Sequence, residues 1–365
     1  MRKYYFVFFL LFSSHSTYAV EVTNLYSAKV ELDSRTQKEQ KTALKSAFKA
    51  VLVKIAGNEQ ILANTFIRNE IQKYPKYLTQ YNYITEAGIN KLVATFDENK
   101  VNQVFFQENL PLWGKLRPLV LFWVVTEEGL NRRIISETDD SLLHKEILLL
   151  AEQKGLPIIL PLMDLTDMQN IQMSDLWGRF IEPINIASQR YAPETIVIIR
   201  VAQKIKDLAN VTLTPECDLQ CMQSQKIVDW HIVTKESNKV ESGEQYQGAN
   251  ELELMTTAMS DITAHISKKY ALTTEIDNDL VIDVTNIDSL TKYVELTEFL
   301  TNLSAINSFK LVKAEGTIRR FHLTLMGSIE SLFSSLQLNN KLTQYSDPLM
   351  EEQIGDVPVF YWGTE

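Results

Sequence analysis

Cysteine occurs only twice in the 365 residues, histidine five times, proline ten and glycine twelve. Two cysteines exclude a disulfide-dense scaffold and a cysteine-rich metal site. So little glycine and proline excludes a long flexible linker, so the domains should abut. Four histidines follow the N-terminal segment (His144, His231, His265 and His322), and none has a partner at i+3 or i+4. A zinc site needs about four ligands, or three and a water, so no metal is expected. No apolar run after the N-terminus is long enough to span a bilayer, the longest lying near Pro118–Val125. G-x-S-x-G, H-E-x-x-H, P-loop and G-x-G-x-x-G patterns are all missing, so neither a cofactor nor a catalytic motif is expected. Asp277-Asn278-Asp279 resembles the start of a calcium loop but lacks the following glycine and terminal glutamate, and reads as a turn.

The N-terminus reads as a secretory signal peptide. Arg2-Lys3 is a positive n-region, Tyr4–Phe12 an apolar h-region, and Thr17-Tyr18-Ala19 a cleavage site that leaves Val20 first. The expected address is the periplasm. Removing Arg2 and Lys3, and no acid, takes the formal charge from −10 to −12. An acidic body without a basic, aromatic-laced face excludes nucleic acid and disfavours anionic lipid. In an exported chain Cys217 and Cys221, at C-x3-C spacing, read as a disulfide closing a short loop, contributing about 2 kcal/mol or less. The rivals are a redox pair, usually C-x-x-C at a helix start, and a metal site, which needs more ligands.

Hydrophobic periodicity divides the remainder into three abutting units of α+β and α/β class. Residues 20–111 read as a small α+β domain of order β-α-α-β-β-α. Its first helix carries Ala43, Leu44, Ala47, Phe48, Val51, Leu52 and Ile55 on one face and ends at Gly57. Residues 112–272 read as a central α/β domain with a mixed sheet. Pro118–Val125, the stretch Lys154–Asp167 (KGLPIILPLMDLTD) and Pro193–Val201 are its buried parallel strands, because continuous apolar runs suit a sheet covered on both faces. One helix is expected from Ser174 to Tyr191, and Val211–Leu213 and Ile227–Val233 form an antiparallel pair. Residues 273–365 read as a ferredoxin-like β-α-β-β-α-β unit, an order the first unit largely shares.

Asp164 and Asp167 fall where the second central strand should end, the usual place for a ligand in an α/β sheet. A pair of acids there suits acid/base work if one is buried, but each also suits a helix cap or a hydrated loop. Trp123 and Trp177 read as core. Trp113 and Arg117, at the boundary LPLWGKLRP, read as a domain junction or a partner contact, and Asp164, Asp167 and Trp177 stand beside them as interaction candidates.

Five segments carry a resemblance: VTNLYSAKVEL, AVLVKIAGN, LPLWGKLRPLVLFWVV, LPIILPLMDLTD with DLWGRF, and RYAPETIVIIRV. They resemble a family of exported Gram-negative proteins defined as a domain of unknown function, over nearly the whole mature chain. RYAPE stands where that pattern has RYGAD. The central unit also resembles the periplasmic modules of the TolB N-terminal and CsgG/LpoB type, which implies a binding part of an envelope machine. The expected function is an envelope-associated adaptor or assembly factor acting on a protein partner without catalysis. The alternatives are an envelope hydrolase using Asp164 and Asp167, or a periplasmic small-ligand binder.

Overall fold

A computed structural model describes residues 20–86, 88–204, 225–234, 240–271, 279–326, 328–337, 341–345 and 357–363. The leader, the expected strand Val211–Leu213 and both cysteines, Cys217 and Cys221, lie outside these residues. Within them the chain is mixed α+β with several sheets.

The first sheet is built by β2 (Ser27–Glu31), β3 (Leu78–Glu86) and β4 (Ile89–Phe96), in the order β2-β4-β3. The strand that opens the unit is in two pieces, because the turn after Val22 separates β2 from β1 (Val20–Glu21). Helix α1 (Gln37–Ala56) buries the expected stripe; Thr36 caps it by accepting from Glu39 N, and Gly57 closes it at φ 72°. After α1 come α2 (Thr65–Gln72), the β3–β4 hairpin and α3 (Glu98–Gln107). With β4 antiparallel to both neighbours, this is a split βαβ arrangement.

The central sheet runs β11-β10-β9-β6-β7, from β6 (Val120–Glu128), β7 (Asn131–Ile135), β9 (Thr195–Lys204), β10 (Gln225–Thr234) and β11 (Val240–Gly248). Strand β6 pairs in parallel with β9, and all its residues from Val120 to Val125 are wholly buried, as a continuous apolar run requires. Helices α4 (Leu142–Lys154) and α8 (Glu251–Tyr270) bury residues such as Ile147 and Met259 with Phe122 and Val197; on the other side Leu176 and Ile184 bury with Trp123 and Ile198.

Two expectations for this unit need correction. Lys154–Asp167 is not a central buried strand: only β8 (Ile158–Ile159) pairs, at the side of β6, and both residues are half-buried. Pro157 and Pro161 bracket it without N–H donors, and Asp164 then caps a helix, so no longer ladder forms. The helix expected over 174–191 is broken. After a separate short helix, α5 (Leu165–Asn170), two short helices, α6 (Met173–Gly178) and α7 (Ile181–Ser188), take its place, with Arg179 in the left-handed region at φ 58° ending α6.

In the third unit β12 (Asp279–Thr285), α9 (Leu290–Asn302), β13 (Ile306–Glu315) and β14 (Ile318–Leu325) repeat the split βαβ arrangement. After α10 (Ile329–Gln337) an extra strand, β15 (Leu342–Tyr345), precedes β16 (Val359–Trp362). Strand β16 therefore enters beside β12 in parallel, where a ferredoxin-like fold has an antiparallel strand. The first and third units share one continuous buried cluster, from Phe48 through Leu112 to Phe321 and Trp362. The two outer units thus touch each other as well as the middle.

Candidate functional site

Residues 113–117 form the junction of all three units. Strand β5 (Leu116–Arg117) pairs with β1, and Trp113 N donates to Ile55 O at the end of α1 (2.7 Å). The Arg117 side chain is wholly buried and, among the described residues, meets no carboxylate. It donates to Gly114 O (3.1 Å), Lys154 O and Gly155 O (both 2.9 Å), Lys54 O (2.8 Å) and Trp113 O (3.1 Å). Its guanidinium lies 4.0 Å from the Trp113 ring centroid. Lys54 and Lys154 end α1 and α4, so the charge sits against the negative ends of two helix dipoles. Burial pulls the Arg117 pKa down, to about 9; the five carbonyls hold the cation in place. Lys54 is buried beside it and donates to Ser27 O (2.9 Å); burial first, and Arg117 second, lowers its pKa to about 8.

Two glycines permit this closeness. A Cβ on Gly57 would stand 2.2 Å from Ser267 Cβ, and one on Gly114 would stand 2.5 Å from Ser304 Oγ. The first contact joins α1 to α8 and the second joins the junction to the third unit.

Asp164 and Asp167 are brought together, but not as a free pair. Asp164 caps α5 through Thr166 N and Asp167 N and takes both terminal nitrogens of Arg190. The hydrogen bond from Arg190 holds its carboxyl down at about 2. Asp167 is wholly buried and accepts from Met163 N (2.8 Å), Arg190 Nη1 (3.1 Å) and Tyr191 Oη (2.5 Å). That bond to Met163 fixes a residue at φ 53°. Neither acid lies at the junction.

Trp177 is not sealed in the core. Arg132 stacks on it at 3.8 Å, Arg200 lies 5.3 Å from its ring on β9, and Arg200 Nη1 donates to Trp177 O. Asp229 on β10 accepts from Arg179 and Arg200, and beside it His231 is buried and held neutral, its pKa lowered to about 4 by burial and then by Arg179. This ionic group pins α6 to the sheet.

Two surfaces stand out among the described residues. On α5, α7 and the adjoining loops, Leu162 (48% exposed), Leu165 (77%), Met168 (61%), Phe180 (56%) and Ile186 (50%) face solvent. Between the first and central units lies a groove of about 740 Å³, with Asn58 and Pro111 on one wall, Gly243 and Glu244 on another, and Asp261, His265 and Lys268 along α8. Sequence reading missed this groove, because its residues come from five separate segments. The one local signal was the helical spacing of Asp261, His265 and Lys268.

Among the described residues no three of His, Cys, Asp and Glu gather at a metal-sized site, and no helix is long and apolar enough to cross a membrane.

A mixed α+β chain whose units are joined at one short segment is the class these features define. Residues 19–114 match the family described as a domain of unknown function (DUF8605), the kind of family that the resemblance named. That match covers the first unit, a smaller part than the resemblance expected. No curated protein matches the chain in sequence. Among solved structures, the formyltetrahydrofolate deformylase of Pseudomonas putida KT2440 aligns at 11% identity and a TM-score of 0.19, covering 56% of this chain and 89% of its own. That of Burkholderia mallei ATCC 23344 aligns at 12% and 0.15, covering 57% and 95%. Likeness at these scores carries no argument.

Proposed function

We propose that the chain is a periplasmic, envelope-associated adaptor or assembly factor that binds another protein and performs no chemistry. A cleaved leader and a Cys217–Cys221 disulfide belong to the same proposal. The observation that carries it is that Leu162, Leu165, Met168, Phe180 and Ile186, all exposed, fall within one short stretch of the chain. A folded chain exposes single apolar side chains freely, but a group of them on consecutive short helices marks a contact surface. Covering Leu165 and Phe180 alone contributes roughly 3 kcal/mol. The engagement of Asp164 and Asp167 in caps and locks supports the non-catalytic reading.

A photo-crosslinking residue placed at Leu165 or Phe180 in living cells tests this. A discrete adduct at both positions is expected, absent at the exposed Lys38 of α1 and lost when Met168→Asp is added. The same bands at Lys38, or no adduct at any position, refute the surface. Release of the chain by osmotic shock checks the address, and retention with the cytoplasm refutes it.

A further inference from the structure

The groove beside α8 has opposite charges at its two ends. Asp261 and Lys268 are seven residues apart, so they stand on nearly one face of the helix, about 10.5 Å apart along its axis. At the first end Glu244 and Asp261 both line the groove, and the negative charge of both acts on the Tyr246 hydroxyl, which donates to Asp261. Burial, then these carboxylates, keeps that hydroxyl protonated above its ordinary range. At the other end Lys268 is exposed and, among the described residues, has no ion-pair partner; His265 between them is engaged with Glu241.

The middle of the groove is kept clear. Ala264 lines it from α8 and Gly243 from β11, both with small or no side chain. A Cβ on Gly243 would meet the Trp230 ring at 1.9 Å, so this wall stays bare backbone against an indole. An extended chain advances about 3.3–3.6 Å per residue, so about three residues span the distance from Asp261 to Lys268. The volume is within the range of small-ligand sites, which favour unit boundaries.

We propose that this groove binds a short extended peptide of about three residues with free ends, its ammonium group at Asp261 and Glu244 and its carboxylate at Lys268. Because the groove has one wall on each of two units, such a peptide also clamps the first unit to the central one. The inference rests on the groove and is independent of the apolar face.

Trialanine is the probe, added to the full exported chain and followed by melting temperature and calorimetry. A saturable rise is expected. N-acetylation, C-terminal amidation or Lys268→Ala should each weaken binding at least about tenfold. Ala264→Trp, which fills the groove without removing a hydrogen bond, should abolish it. No rise at about 10 mM trialanine overturns the proposal, as does binding that survives both cappings or is unchanged in Lys268→Ala.

Discussion

Replacing Arg117 by methionine removes a cation that ties α1, α4 and the 113–117 segment together. Five carbonyls then lose their donor at once, in a place water does not reach. Hydrogen bonds to a charged group contribute about 1.5–3 kcal/mol each in isolation, but five to one group do not add. The cation–π contact with Trp113 contributes up to about 2 kcal/mol when desolvated. Against these stand the cost of burying an unpaired charge and its repulsion of Lys54, both of which methionine relieves. Breaking buried ionic contacts in other proteins costs about 3–5 kcal/mol, and about 4 kcal/mol is expected here. Urea unfolding followed by intrinsic fluorescence measures it. Because the bonds cross between units, the transition should also broaden or split, with a lower slope on denaturant. A loss under about 1 kcal/mol with an unchanged slope would refute the view that Arg117 couples the units.

Three further outcomes follow from the same structure. Lys54 titrates near 8 in the fold and near 10.5 unfolded, so between those values the unfolded chain holds the extra proton and stability rises with pH, by up to about 3 kcal/mol. Unfolding at pH 8 and 9.5 should show that slope in the native chain and lose it in Lys54→Met; equal slopes reject the assignment. Asp167→Asn weakens three bonds around a buried carboxylate and should cost about 2 kcal/mol, read by thermal melting, whereas a change under about 0.5 kcal/mol rejects its role as a lock. Cys217 and Cys221 from exported protein should resist alkylation until reduced, and labelling of both without reduction rejects the disulfide.

What could be read from the sequence depended on how local its cause was. The α1 stripe from Ala43 to Ile55 and the stop at Gly57 depend on helical periodicity and one left-handed residue, and both are where the pattern put them. The β3–β4 and β13–β14 hairpins, each turning at a left-handed glycine, were readable for the same reason. Strands β7 and β11 were not. NRRII and VESGEQYQG are polar edge strands that exist because a neighbour pairs with them, and they carry little alternation of their own. Ile158–Leu160 misled in the opposite direction, since apolar content promised a central strand while the flanking prolines had already removed its donors. Trp113 and Arg117 were visible as a boundary, yet their bonding was not, because the acceptors lie as much as 63 residues away in sequence.

The junction also sets the smallest fragment in which the first unit can be native. Residues 19–114 form the recognisable domain, and that span holds Trp113 but stops three residues short of the guanidinium that covers it. Extension to Gly155 supplies every acceptor of Arg117, while Ser304 arrives only with the last third of the chain. During synthesis the Lys54 carbonyl in the last turn of α1 must therefore wait for Arg117, 63 residues further along the chain.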